Sequence, residues 1–241
     1  MTSLSTNSAL LILGMHRSGT SALAGVLSLA GADPGPSLIP PAEESNPKGF
    51  WEHRDIVAIH ERLLSALGTS WYDDRPFPEK WWLRPEIIGF RNQLSAVVRR
   101  DFARSQTWVL KDPRLCRLIP LWLELLGQLD TNPRFIICLR HPLEVAASLE
   151  RRDGIQPERA CLLWLEHLVE SELWTRGHSR VLVTFEQLLA DWRATVERIC
   201  DEISLTLPMG EERAQKIDAF LEPKLRHHRH DESGLTPHSP I

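Results

Sequence analysis

Short apolar runs alternate along this chain with longer stretches in which apolar residues recur every three or four positions. The first pattern predicts strands buried on both faces, the second amphipathic helices. Leu10–Leu13, Trp108–Leu110, Arg134–Leu139 and Val181–Phe185 read as strands. Residues 135–139, Phe-Ile-Ile-Cys-Leu, are apolar at every position, as a central parallel strand should be. Helices are expected over Gly19–Ala30, Asp55–Leu67, Pro85–Ala103, Leu115–Leu126, Pro142–Glu150 and Pro157–Arg176, and then near 186–204 and 209–221. In the helix from Pro157, the residues Leu162, Leu165, Leu168, Val169 and Leu173 read as the inward stripe. Residues 31–50 and 68–84 read as irregular, the second segment carrying Trp71, Trp81 and Trp82. Regular alternation of strand and helix predicts an α/β fold with a central parallel sheet and helices on both faces. No internal repeat or second core is visible, so residues 1–241 read as one domain ending in a polar, basic tail over 222–241.

Composition narrows the function classes. The net charge of -4 over 241 residues gives no ground for a nucleic-acid or membrane-surface binder, so any basic site must be local. The first eight residues lack the charged start and apolar core of a signal peptide, and no apolar stretch is long enough to span a bilayer. Cys116, Cys138, Cys161 and Cys200 are widely spaced and form no CxxC pair, which reads as reduced structural thiols in a cytoplasmic protein.

The densest chemistry follows the first strand. Residues 9–21 read Ala-Leu-Leu-Ile-Leu-Gly-Met-His-Arg-Ser-Gly-Thr-Ser, which places Gly14 and Gly19 in the frame of a phosphate-binding loop. The fold expectation is therefore a P-loop-like three-layer architecture. Thr20 stands where an ATPase carries lysine, and Arg17 is the loop's cation. Such a loop can cradle a phosphate on its amides and on a helix N-terminus, but it is poorly equipped for NTP hydrolysis. His16, Arg17, Ser18, Gly19, Thr20 and Ser21 are its candidate ligand-binding residues. Arg140, at the end of the central strand, and Ser148, eight residues on, are placed to grip a second phosphate. Lys111, in Lys111-Asp112-Pro113-Arg114, follows another strand at the same edge and reads as held on a tight loop, where it could stabilise a leaving group.

These residues carry a family likeness. His16 to Ser21 resembles the loop that wraps the 5′-phosphosulfate in sulfotransferases using 3′-phosphoadenosine 5′-phosphosulfate (PAPS). Phe135–Arg140 through Ser148 resembles that family's 3′-phosphate segment. Leu110–Pro113 looks like the Lys-Asp-Pro of tyrosylprotein and several bacterial members, and Val183–Leu188 like a later Tyr-Glu-x-Leu segment with Phe for Tyr. The likeness spans residues 9–192. The arginine form of the loop is closer to the carbohydrate, tyrosylprotein and bacterial branches. The Arg-Lys-Gly segment of the soluble small-molecule enzymes is missing, and the basic run Lys224–His230 is a candidate to replace it, with a solvated terminus and metal binding as its other readings.

The resemblance implies sulfuryl transfer from PAPS to a hydroxyl or amine of a small-molecule, carbohydrate or other acceptor, with no metal. Arg17 and Lys111 would neutralise the bridging and sulfonate oxygens. The general base would be a carboxylate after the first helix. Glu43, Glu44, Glu52 and His53 are the candidates, and Glu52 in Gly49-Phe50-Trp51-Glu52 is favoured, because aromatic neighbours would desolvate it and raise its pKa. Other readings are a P-loop kinase using ATP–Mg²⁺, with Asp112 as its metal ligand, and a nucleotide-binding module without catalysis.

Overall fold

Every neighbouring strand pair in the sheet is parallel, which forces each connection to cross over and carries helices onto both faces. The computed structural model describes residues 7–43 and 46–221. Glu44 and the basic run Lys224–His230 lie outside the described residues. The strands are β1 (Ser8–Leu13), β2 (Thr107–Lys111), β3 (Asn132–Leu139) and β4 (Arg180–Thr184), in the order β2-β1-β3-β4. The helices are α1 (Thr20–Ala30), α2 (Arg54–Ala66), α3 (Pro85–Phe102), α4 (Leu115–Gln128), α5 (Pro142–Asp153), α6 (Pro157–Thr175), α7 (Phe185–Ala190), α8 (Trp192–Glu202) and α9 (Glu211–Phe220).

Side-chain alternation divides the core. Leu10, Ile12, Ile136, Cys138, Val181 and Val183 pack beneath α1, α8 and α9. Leu11, Leu13, Leu110, Phe135 and Ile137 pack beneath α2, α3 and α4. The expected three layers are what the chain forms. Local signals set the ends. Proline opens α3, α5 and α6, Gly31 closes α1 in the left-handed region, and Thr184 with Gln187 forms a reciprocal cap on α7.

Four details differ from the sequence reading. Lys111 is the last residue of β2 instead of a loop residue. Phe185 opens α7 instead of ending a strand, and the helical region near 186–204 is broken into α7 and α8 at Asp191, whose side chain caps α8. The largest difference is α6. Its buried residues are Ala160, Leu163, His167, Ser171 and Thr175, whereas Leu162, Leu165, Val169 and Leu173 are 56%, 49%, 54% and 50% exposed. Leu168 alone of the expected stripe is partly buried against the core. The polar face can be buried because its side chains bond their own helix. His167 Nδ1 donates to the Leu163 carbonyl at 2.8 Å, Ser171 to that of His167 at 2.6 Å, and Thr175 to that of Ser171 at 2.6 Å.

With parallel strands ordered 2-1-3-4, the connections leave β1 in opposite directions, and the crevice beyond the C-terminal ends of β1 and β3 is where an open α/β sheet binds ligands.

Candidate functional site

That crevice holds a cavity of about 380 Å³ lined by residues 16, 17, 19–22, 46–50 and 52, together with Trp71, Lys111, Arg114, Arg140, Arg152 and Phe185. Ser18 is not among its lining residues. The loop between β1 and α1 forms its floor. Gly14 has φ 143°, and a Cβ there would lie 2.5 Å from the Cys138 carbonyl oxygen, so only glycine lets the loop cross β3 this closely. Gly19, at φ 88°, would drive a Cβ to 2.3 Å from the Phe185 ring. Arg17 itself adopts φ 70°.

Two buried thiols brace this loop. The Gly14 amide donates to Cys116 Sγ at 3.1 Å, and Cys138 Sγ donates to the Ser18 carbonyl at 3.2 Å. Burial pushes Cys116 up to about 11 and Cys138 up to about 12, so both stay protonated and structural.

The start of α1 has no side-chain cap and no acidic residue in its first turn. Its first N–H groups have no intrahelical partner and carry the positive end of the helix dipole. His16 Nε2 and Ser18 Oγ are buried and have no hydrogen-bond partner. Burial, reinforced by Arg114, Arg152 and Lys111, holds His16 well below the ordinary histidine value, so the ring is neutral.

Arg17 Nε donates to Ser148 Oγ at 2.8 Å, and Arg140 Nη1 donates to the Arg17 carbonyl at 3.1 Å. Three expected residues from two separate segments therefore meet at one rim. Arg140 also pairs with the fully buried Glu144 one turn into α5, at 2.9 Å, and lies over the Phe185 ring. Burial lowers the Arg17 pKa, and the neighbouring Arg152 and Arg140 lower it further, which is the signature of cations gathered in one place.

The opposite wall is balanced. Lys111 Nζ donates to Glu52 Oε1 at 2.5 Å, to Ser21 Oγ at 3.1 Å and to the Phe50 carbonyl at 3.3 Å. These three bonds use all the protons of an ammonium group. Asn46 Nδ2 donates to the same Ser21 hydroxyl at 3.1 Å. Glu52 is positioned by its backbone: its carbonyl accepts from the Ile39 amide at 2.8 Å, and the Arg54 amide donates to Ser37 at 2.8 Å. The expected aromatic shell is incomplete. Trp51 turns away, onto Phe220, and the nearest partner of the buried carboxylate is the Lys111 ammonium.

Behind Lys111, Asp112 is fully buried and its oxygens are committed. One accepts from His60 Nδ1 at 2.8 Å, the other from the Arg114 amide at 3.0 Å and Arg114 Nη1 at 2.8 Å. The Trp122 indole N–H can only donate, so His60 Nε2 accepts it at 2.9 Å and the ring proton sits on Nδ1. Although burial pushes the other way, Arg114 and the His60 bond hold Asp112 well below the usual carboxylate range. Three of the roughly four acceptor positions of this fully buried carboxylate are taken, which leaves little for a magnesium ion.

Other candidates lie elsewhere. His53 is buried against Asp101 on α3, 3.0 Å away, and does not line the cavity. Glu43 is exposed outside it. Trp81 is in the core and Trp82 packs against Trp174, while Trp71 lines the cavity with its ring centroid 4.3 Å from that of His16. Sequence reasoning missed Arg152, whose charged neighbours at the end of α5 look like any solvated helix terminus, and Asn46, which sits in an irregular segment without periodicity. Among the described residues, no group of three His, Cys, Asp or Glu is placed to hold a metal, and no helix is long and apolar enough to cross a membrane.

A strand, a lysine-free phosphate loop, an uncapped helix and an arginine cluster at a topological switch point define a nucleotide-dependent transferase. Residues 9–209 match the Sulfotransferase family, and the chain belongs to that family. Its backbone is similar to the sulfotransferase domain of the Synechococcus PCC 7002 olefin synthase, with a TM-score of 0.55 at 18% identity over 93% of this chain and 84% of that one. It is also similar to the sulfotransferase domain from the curacin biosynthetic pathway, with a TM-score of 0.51 at 19% identity over 87% and 77%. At these identities the likeness is one of fold. No curated protein matches the sequence at a significant level. This protein is a sulfotransferase, and the kinase reading is not favoured.

Proposed function

We propose that this sulfotransferase takes its sulfuryl group from PAPS and delivers it to a hydroxyl or amine of a small-molecule or carbohydrate acceptor, releasing adenosine 3′,5′-bisphosphate. The observation that carries this reading is that Arg17 and Arg140 line one rim of the cavity and touch, with Ser148 bonded to Arg17 behind them. The residues present fit such a nucleotide. The glycine cradle leaves no room for a Cβ, and His16, which lines the cavity, has a buried ring nitrogen with unused bonding capacity. The 5′ end would rest on residues 16–21 and the first turn of α1. Arg140 and Ser148 would hold the 3′-phosphate.

When bound, PAPS supplies an activated sulfonate on a phosphate leaving group. Arg17 neutralises the bridging and sulfonate oxygens from the loop side. Lys111 does so from β2, by exchanging one of its three bonds. Glu52 accepts the proton of the acceptor hydroxyl, and Lys111 holds that carboxylate in line with Ser21. No magnesium is needed, because charge that a metal would screen falls on guanidinium groups. The four cysteines are free, which suits a reducing compartment, and we place the protein in the cytoplasm as one catalytic domain.

The test is a transfer assay with PAPS and a panel of hydroxylated and amine acceptors, followed by release of adenosine 3′,5′-bisphosphate. Turnover without added metal supports the reading. Turnover that requires ATP and Mg²⁺ in place of PAPS rejects it.

A further inference from the structure

The exposed face of α6 is more regular than a solvated surface needs to be. Its exposed positions include Glu158, Leu162, Leu165, Val169, Leu173 and, just past the last turn, Arg176. At 100° per residue these six lie within about 80° of arc, on a helix about 28 Å long. Their spacings are four, three, four, four and three, which is the pattern of a helix–helix seam. The inner face of α6 is already buried, with His167, Ser171 and Thr175 each donating to the carbonyl four residues back, so the exposed leucine stripe plays no part in this chain's core. Leu182 extends the patch. Arg180 bonds to Glu172 and Thr175 on α6, so the next residue of the same parity on β4 points to that side, and Leu182 is 45% exposed.

We propose that α6 is the dimerisation surface of this protein, pairing antiparallel with α6 of a second copy across a two-fold axis near position 167. The order of the residues argues for this occupant. About that axis Leu165 of one copy faces Val169 of the other, Leu162 faces Leu173, and the stripe meets itself in register. The charged ends match as well, because Glu158 at the N-terminal end is set against Arg176 at the C-terminal end, twice per dimer. In the single chain Arg176 pairs with Glu172, at 2.6 Å. An isologous interface needs this self-complementarity, and a shallow crossing of such a seam is a common helix packing. A lipid surface suits the face less well. Glu158, Glu166, Glu170 and Glu172 stand on or beside the stripe, where a membrane-lying helix would carry lysine and arginine. Pairing through the β4 edge is also disfavoured, because Arg198 Nη2 already occupies the Leu182 carbonyl at 3.0 Å.

Sedimentation velocity of the full chain over a hundredfold range of concentration tests the proposal without reference to activity. The wild type should sediment at twice the monomer mass at the upper end. Leu165→Glu combined with Val169→Glu should weaken association by on the order of a hundredfold or more. Both sites are solvent-exposed, so the far-ultraviolet circular dichroism should not change. Glu158→Arg and Arg176→Glu should each weaken the dimer by about three- to tenfold, and together restore it. A wild type that stays monomeric throughout overturns the proposal, including one that instead floats with anionic vesicles. So does a dimer indifferent to the Leu165/Val169 pair, and a charge swap that fails to restore association overturns the antiparallel arrangement.

Discussion

The two walls of the cavity differ in how densely they gather guanidinium groups. The wall of residues 16–21, Arg140 and Arg152 brings three guanidinium groups together, which lowers the Arg17 pKa, beside a helix end with no acidic residue in its first turn; Arg140 and Arg152 also pair with Glu144 and Asp153. The wall of Lys111, Glu52, Arg114 and Asp112 pairs every cation with a carboxylate. In the proposed function the first wall holds the phosphates, whose oxygens would add to a site rich in guanidinium N–H donors and in the free amides of a helix start. The second wall is a balanced, buried pair: a proton taken up by Glu52 would release the Lys111 charge toward the oxygens of the departing phosphate. The proposed function thus puts binding and proton transfer on different sides of one crevice.

The sharpest way to break this division is to change the balanced wall alone. Glu52→Gln should lower turnover by about 10² to 10⁴, the range of general acid–base catalysis, while affinity for adenosine 3′,5′-bisphosphate stays near wild type. Steady-state rates with calorimetry separate the two, and equal losses in both would merge the walls into one function. Next in size, Arg17→Ala should lower kcat/KM by about 10² to 10³ and weaken the nucleotide as well. Ser148→Ala removes one hydrogen bond to Arg17, so nucleotide affinity should fall by only about three- to tenfold. The smallest effect expected is that of pH on His16. A histidine held well below its ordinary value stays uncharged from about pH 8 to about pH 6. Nucleotide affinity of His16→Asn should therefore track wild type across that range. A wild-type affinity that climbs below about pH 6.5, with the climb lost in the variant, would move His16 into the cationic wall.

Much of this was legible in the sequence, for physical reasons that differ by region. The strands and the Gly14–Ser21 loop are local objects: period, glycine placement and a strand-to-helix turn determine them without help from the rest of the chain. Arg140 and Ser148 follow from knowing where a parallel sheet ends. Lys111 meeting Glu52 was not legible, since it depends on how residues 37–40 pair with 52–54 and bring an irregular segment over β2. The case for Glu52 rested on aromatic neighbours, whereas its buried partner is an ammonium group. The α6 stripe misled because hydrophobic periodicity marks a face that wants covering, not what covers it. His167, Ser171 and Thr175 could turn inward only because each bonds the carbonyl four residues back.

The most direct test of the nucleotide site is calorimetric titration of adenosine 3′,5′-bisphosphate into wild type, Arg17→Ala and Arg140→Ala, with ATP–Mg²⁺ as the competing ligand. The two-walled site predicts tight binding of the bisphosphate to wild type, a loss of affinity in both variants and little heat from ATP–Mg²⁺. Binding of ATP–Mg²⁺ alone, or bisphosphate binding indifferent to both arginines, would contradict it.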